Sequence, residues 1–76
     1  MKARKRPVEV EAIQWTGDNW TLLTQFSSNL CKNGESVVVR TRKGFMRADL
    51  RDWIIKEPTG ELYSVKPDVF EKDFET

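Results

Sequence analysis

The sequence has no histidine, and Cys31 is its single cysteine. Histidine is the residue most often used for general acid–base catalysis, and zinc sites are built mainly from several Cys and His ligands. One thiol cannot form a disulfide within the chain. Cys31 also falls at a predicted helix C-terminus, where the helix dipole disfavours a thiolate. The composition therefore predicts a protein that is not an enzyme and uses no metal or cofactor, with Cys31 serving for packing.

Two pairs of carboxylates are the remaining candidates for acid–base chemistry: Glu9 with Glu11, and Asp49 with Asp52. Glu9 and Glu11 fall on one face of a predicted strand, roughly 7 Å apart. Neither pair lies within an apolar run, which is the setting that shifts a carboxyl pKa for catalysis. We therefore expect the two glutamates to face solvent, and neither pair to be catalytic.

Long apolar runs are also missing, since none approaches the ~20 residues of a membrane-spanning helix. The basic start of the chain, MKARKRPVEV, lacks the apolar core of a signal peptide. We therefore expect a protein that acts in the cytoplasm without membrane contact, a setting that also suits a single cysteine. The 76 residues predict one domain, residues 1–76, in which residues 1–6 are a basic, flexible N-terminal arm.

Charge is distributed unevenly, although the net charge is only +1. Most of the 13 basic residues precede residue 57, whereas half of the 12 acidic residues follow residue 56. Such a division of charge can steer a charged partner. Beyond the N-terminal arm, the basic positions cluster in one segment, at Arg40, Arg42, Lys43, Arg47 and Arg51.

Hydrophobic patterning predicts an α+β fold. Strands are predicted over 7–15, 36–42, 45–48, 53–56 and 61–65, separated by Gly- or Pro-containing turns. A helix of about three turns is predicted within 19–32, with Asp18 as its N-cap, and Pro67 starts a further helical turn. The expected architecture is one helix packed on a strongly twisted antiparallel sheet of about five strands, rolled into a small open barrel.

The first predicted strand changes phase along its length. Val8, Val10 and Ala12 occupy one face, but the next apolar residues, Ile13 and Trp15, fall on the other. A single strand buried on one face should keep its phase. The change predicts a bulge near Ala12 or a change of environment there.

Three separated motifs resemble a family of small proteins of tailed bacteriophages and prophages. They are EAIQWTGDN at 11–19, DWII at 52–55, and GELY followed by KPDVF and FE between 60 and 75. They agree with the family pattern in order and spacing over nearly the whole chain. Two places depart from it: Leu50-Arg51-Asp52 stands where the family often has Pro-Gly-Asp, and Val65 stands where it often has Cys. The resemblance implies a phage origin and a host bacterial cytoplasm, and it assigns no catalytic residue.

The basic segment is the strongest candidate for a binding surface. A hairpin over 36–51 would carry its five cationic side chains together with an aromatic residue, Phe45. Trp, Tyr and Arg side chains often supply most of the binding energy of a protein interface. Trp53 and Tyr63 are therefore added as candidate contact residues, with most of the other aromatic side chains expected in the core.

These features favour a phage-encoded accessory protein that binds and modulates or inhibits a bacterial protein. An antiphage-defence protein is the preferred partner, for example a component of a CRISPR system or of another nuclease or signalling system. The first alternative is a nucleic-acid-binding module that uses the basic hairpin at 40–51. Against this alternative stand a sequence pI of about 7.9 and the acidic C-terminal segment. A second alternative is sequestration of a small ligand such as a nucleotide, in a barrel mouth or at a dimer interface. An uncovered strand edge would also allow a homodimer.

Overall fold

The structure is a computed structural model that describes residues 2–5 and 8–74. Seven strands and two helices are present in this part of the chain. In chain order they are β1 (Lys2–Lys5), β2 (Val8–Gln14), α1 (Trp20–Phe26), β3 (Leu30–Asn33), β4 (Ser36–Thr41), β5 (Gly44–Ala48), β6 (Trp53–Lys56), β7 (Leu62–Val65) and α2 (Pro67–Asp73). Arg6 of the predicted N-terminal arm and Glu75 of the family motif lie outside the described residues.

The strands form two antiparallel sheets. The large sheet has four strands in the order β1-β2-β6-β7, and the small sheet has three in the order β3-β4-β5. The predicted α+β class is confirmed. The predicted arrangement is wrong in detail, because two helices and two sheets replace one helix on a single five-stranded sheet. The strands described do not form a closed barrel.

The large sheet is the middle layer of the molecule. On β6, Ile54 points toward α1 and the small sheet, where it packs with Trp15, Leu23 and Val39 in the main core. The next residue, Ile55, points to the opposite side and packs under α2 in a second core with Phe70. Neighbouring strand residues alternate between faces, so one short strand serves both cores. The small sheet and α2 therefore cover opposite faces of the large sheet.

The phase change in β2 has the same cause. Val10 and Ala12 lie in the core under α2, whereas Ile13 and Trp15 belong to the main core. The pairing of β2 with β6 runs without interruption from Glu11 to Gln14, so there is no bulge at Ala12. Of the two predicted explanations, the change of environment is correct, because β2 becomes buried on both faces as the small sheet begins to cover it.

Helix α1 is shorter than predicted and is followed by an unpredicted strand. It ends at Phe26, and β3 then pairs with β4 through a tight turn at Gly34, whose φ is +63°. Ser and Asn compete with helical hydrogen bonds, which explains why the helix stops before the run at 27–29. Leu30 packs on the main core from β3, so its helix-like spacing from the core residue Leu23 was misleading.

The N-cap of α1 differs from the sequence prediction, and its C-terminal end has a partner on β6. Asn19, not Asp18, is the N-cap position, and Asp18 instead accepts a hydrogen bond from the Thr16 hydroxyl at 2.6 Å. At the other end, Lys56 Nζ donates to the Phe26 carbonyl oxygen at 3.1 Å and lies over the Phe26 ring. A cation at a helix C-terminus is favourable, so β6 contributes directly to ending α1.

The N-terminal segment was predicted as a flexible arm over residues 1–6. The structure pairs four of these residues, Lys2–Lys5, with Glu11–Val8 of β2 as an edge strand of the large sheet. The remaining strand predictions agree closely with the structure, and the predicted strand over 53–56 matches β6. Pro67 is the first residue of α2, as its fixed φ predicts.

Candidate binding surface

The basic segment folds into the small sheet, whose outer side we call the basic face. On β4, Val37 and Val39 are fully buried, so the alternate residues Val38 and Arg40 lie on the outer side. Antiparallel pairing then places the cross-strand partners of these residues on the same side. The basic face therefore consists of Cys31, Val38, Arg40, Phe45 and Arg47.

Phe45 is the most exposed large apolar side chain of the described residues, at 74%. It lies directly opposite Arg40 in the register of β4 and β5. Directly opposed residues have Cβ atoms about 5 Å apart, so the ring and the guanidinium group share one patch. Arg40 is exposed and forms no ion pair with any described residue. A ring and a cation that are both available to a partner are thus fixed on rigid strands.

Arg47, at the other end of the basic face, is held by the carboxylate of Asp49. Its Nε atom donates to Asp49 Oδ1 at 2.8 Å, and the Ser36 hydroxyl donates to the same oxygen at 3.1 Å. Both hydrogen bonds lower the pKa of Asp49, and the one from Arg47 has the larger effect. Arg47 remains largely exposed, with 70% of its side chain accessible, so it can still contact a partner while its direction is fixed.

Asp49 belongs to a turn that joins the small sheet to the large one. Within this turn Asp52 is 3% exposed, and its Oδ2 accepts the Asp49 backbone N–H at 2.9 Å and Lys66 Nζ at 3.0 Å. Hydrogen bonding to Asp52 is the main cause that raises the pKa of Lys66. Asp52 lies outside any apolar run of the sequence, and its burial was not expected. Its neighbours show that it supports the turn and the start of α2.

Arg42 and Lys43 form the two-residue loop between β4 and β5. Arg42 Nη1 donates to Glu61 Oε1 at 3.0 Å, linking this loop to the turn between β6 and β7. Both partners are substantially exposed, so the ion pair contributes little to stability. Lys43 is exposed and forms no ion pair with any described residue. The loop thus extends the positive charge of the basic face beyond its strands.

Arg51 lies away from the strands of the basic face, in the turn that precedes β6. It is the only described non-glycine residue with a positive φ, +79°. Both of its backbone polar groups are used: its N–H donates to the Trp15 carbonyl oxygen at 2.7 Å, and its carbonyl accepts from Gln14 Nε2 at 2.8 Å. The turn is therefore held tightly against the end of β2, with the Arg51 side chain exposed.

Trp53 and Tyr63, the two aromatic candidates, are not brought together with the basic face. They are half-buried and pack in the core under α2, where Trp53 stacks on Phe70 with ring centroids 3.9 Å apart. Burial, followed by the charge of Glu57, raises the pKa of Tyr63. Their environment is that of structural side chains, and a contact role for either one stays a prediction.

Cys31 was predicted to pack, and this is wrong. It lies on the unpredicted strand β3, is exposed, and occupies the basic face beside Val38. The misassignment follows directly from extending α1 too far along the sequence. Strand β3 is also an edge strand of the small sheet, so the expected homodimer stays a prediction with a defined edge.

Three acids of the C-terminal segment are placed away from the basic face. The exposed acids Asp68, Glu71 and Asp73 lie on α2, which covers one face of the large sheet. The small sheet covers the opposite face. The acids of α2 therefore lie on the far side of the molecule from the basic face, whereas Glu61 of the same acidic C-terminal segment pairs with Arg42 beside that face.

Two shallow clefts adjoin at one end of the basic face. The first, the arginine cleft, has a volume of about 360 Å³ and lies between Arg40, Arg42 and Thr59. The second, the phenylalanine cleft, has a volume of about 160 Å³ and lies between Phe45, Val38 and Leu30. Arg40 and Asn29 line both clefts. Sequence reasoning identified Arg40, Arg42 and Phe45 but missed Asn29 and Thr59, since nothing in their local pattern marks them.

The described residues hold no cluster of three or more His, Cys, Asp and Glu side chains suited to a metal ion. Neither helix has the length and apolar character needed to cross a membrane, and this holds for all the residues that the structure covers. Comparison with protein-family models, curated proteins and solved structures found no match.

Proposed function

We propose that this protein is a non-catalytic binding module whose contact surface is the basic face. The observation that carries the proposal is the pairing of exposed Phe45 with Arg40, two side chains that a monomer leaves available on rigid strands. Aromatic and arginine side chains are enriched among residues that dominate interface energies. Arg47 and the loop at 42–43 surround this pair with further positive charge.

The proposed partner is a bacterial protein with an acidic surface, bound in the host cytoplasm. Charge complementarity favours this class, because the basic face would meet opposite charge while the acidic α2 points away. The resemblance to phage proteins supports a host target, and we propose a component of antiphage defence such as a CRISPR or other nuclease or signalling protein. Binding would then modulate or inhibit that target by covering its surface.

A pull-down with matched variants tests this proposal. Tagged full-length protein is incubated with bacterial lysate, alongside the double variant Phe45→Ala/Arg40→Ser and the control Leu22→Ala. Leu22 is 55% exposed on α1, so the control also removes an exposed apolar side chain but leaves the basic face intact. We expect one stoichiometric partner with wild type and control, and its loss with the double variant. Recovery of no such partner, or one retained by the double variant, contradicts the proposal.

Single-stranded nucleic acid is the second candidate partner, favoured by one specific observation. An aromatic ring flanked by arginines on an open sheet face is suited to stacking a base while pairing with phosphate. The acids of α2 lie away from the basic face, which supports this candidate, while Glu61 stays paired with Arg42 beside it. Mobility-shift assays with DNA and RNA at about 50 and 200 mM salt test this candidate, because phosphate contacts weaken steeply with salt. Absence of binding even at the lower salt concentration excludes it.

A further inference from the structure

The arginine cleft is rich in hydrogen-bond donors. Arg40 lines it without an ion pair among the described residues, and the side chains of Asn29 and Thr59 form no hydrogen bond within that part of the chain. Its one acidic residue, Glu61, is bound to Arg42 at 3.0 Å. Guanidinium groups bind phosphate through paired N–H donors, and an exposed ion pair of this kind is weak enough for a phosphate to replace it. The cleft thus has the chemistry of a phosphate site.

The phenylalanine cleft has the complementary character. Phe45 and Val38 give it an apolar floor, and the Phe45 ring is open to solvent. Every nucleobase has a flat face that can stack on such a ring. Arg40 forms the boundary between the two clefts, so a molecule with a phosphate and a base could occupy both while passing over one side chain.

From this arrangement we infer that the two clefts form one nucleotide site, with phosphate held between Arg40 and Arg42 and the base stacked on Phe45. The arginine cleft, at about 360 Å³, falls within the range of small-molecule sites, and the adjoining phenylalanine cleft adds about 160 Å³. The site lies on an open sheet face and not in a barrel mouth, which was one of the two places considered from the sequence. The inference goes beyond the proposed protein-binding function and does not depend on it.

The nucleotide could be free in solution or part of a single strand, and both sources present the same phosphate and base. A free nucleotide fills the site alone. A strand would place one nucleotide there and extend others along the basic face toward Arg47. Comparing AMP with a ten-residue oligoadenylate therefore distinguishes the two sources.

Calorimetric titration of the full-length protein at about 50 mM salt tests the inference, with AMP, adenosine, ribose 5-phosphate, inorganic phosphate and oligoadenylate as probes. We expect AMP to bind more tightly than adenosine, ribose 5-phosphate or inorganic phosphate, because only AMP fills both clefts. Tighter binding of oligoadenylate than of AMP supports the strand as source, and equal binding supports the free nucleotide. The inference is overturned if neither AMP nor oligoadenylate binds, or if inorganic phosphate binds as tightly as AMP.

Single substitutions test the base-binding part and the phosphate-binding part of the site separately. Phe45→Ala should weaken AMP binding at least about fivefold, the lower end of what base stacking contributes, while leaving ribose 5-phosphate unaffected. Arg40→Gln should weaken the binding of both AMP and ribose 5-phosphate, and Leu22→Ala should weaken the binding of neither. All three positions are exposed, and thermal melting confirms that each variant is folded. AMP binding that survives both Phe45→Ala and Arg40→Gln overturns the inference, whatever the pull-down finds.

Discussion

Arg40 and Phe45 are direct cross-strand partners on the outer side of the small sheet. Neither side chain supports the fold, since both are exposed and the cores lie on the other side of β4. Exposed substitutions of this kind usually change stability by no more than about 0.5 kcal/mol. Phe45→Ala should therefore melt close to wild type, as measured by circular dichroism. A loss of several degrees would show that Phe45 packs within the fold and would remove it from the binding surface.

The buried carboxylate of Asp52 should be the most sensitive polar site in the described chain. Asp52→Ala leaves the Asp49 backbone N–H without its acceptor and removes the ion pair with Lys66. Breaking such a buried cluster should cost about 2–3 kcal/mol, less than a fully buried pair because Lys66 is more than half exposed. Urea unfolding measures the loss. The control Glu71→Ala, an exposed acid on α2, should change the free energy of unfolding by less than about 0.5 kcal/mol.

The protein should be less stable with arginine at position 51 than with glycine there. Its φ of +79° costs an ordinary L-residue roughly 1–2 kcal/mol, partly offset by the greater freedom of glycine in the unfolded chain. Arg51→Gly should therefore raise the free energy of unfolding by about 0.5–1 kcal/mol. Arg51→Ala keeps the Cβ atom and should give no such gain. An equal gain from both variants would assign the effect to loss of charge instead of backbone conformation.

Gly17 packs closely beside the turn that carries Arg51. A Cβ atom at this position would come within 2.8 Å of Leu50 Cδ2, and its φ of +95° disfavours any side chain. Gly17→Ala should therefore destabilise more than Gly34→Ala, where φ is +63° and no atom lies within 4 Å of the added Cβ. The difference rests mainly on φ, because Leu50 is exposed and the end of its side chain can move aside. Chemical denaturation of the two single variants measures it, and an equal loss of stability in both would contradict the prediction.

The Arg47–Asp49 contact predicts a specific acid dependence. The hydrogen bonds from Arg47 and then Ser36 lower the pKa of Asp49 from its usual 3.8. The resulting stabilisation is fully present above the unfolded value of 3.8 and disappears as pH falls through the lower folded value. Melting temperature should thus fall more steeply below about pH 4 in wild type than in Asp49→Asn. If the melting temperatures of wild type and Asp49→Asn fell in parallel with pH, the contact would contribute no pH-dependent stability.

The sequence was sufficient for residues whose local pattern decided their structure. The alternation and turn residues around β4, β5, β6 and β7 predicted these strands, and Pro67 predicted the start of α2. β3 was missed because Leu30 has the spacing of an apolar helix position, while only pairing with β4 makes it a strand. The phase change in β2 had two local explanations, and the layer on each side decided between them. Tertiary contacts settled what the local pattern left open.

The binding surface, like the fold, could be predicted from the sequence only where the local pattern was decisive. Clustered charge and Phe45 identified the hairpin that carries the basic face. Sequence could not show that Trp53 and Tyr63 pack under α2, because an aromatic residue in a strand has the same local pattern whether it is exposed or buried. Nor could it show that the acids of α2 lie behind the large sheet. That segregation depends on the order of layers, which long-range pairing sets.

The most direct test of the central claim, that the basic face is the contact surface, is the quantitative pull-down that compares wild type with Phe45→Ala/Arg40→Ser and Leu22→Ala. Mass spectrometry measures the amount of each captured protein relative to the bait. We predict one partner at a near-equimolar ratio with wild type and Leu22→Ala, reduced at least about tenfold by the double variant, which corresponds to about 1.4 kcal/mol. Undiminished capture by a folded double variant would contradict the claim.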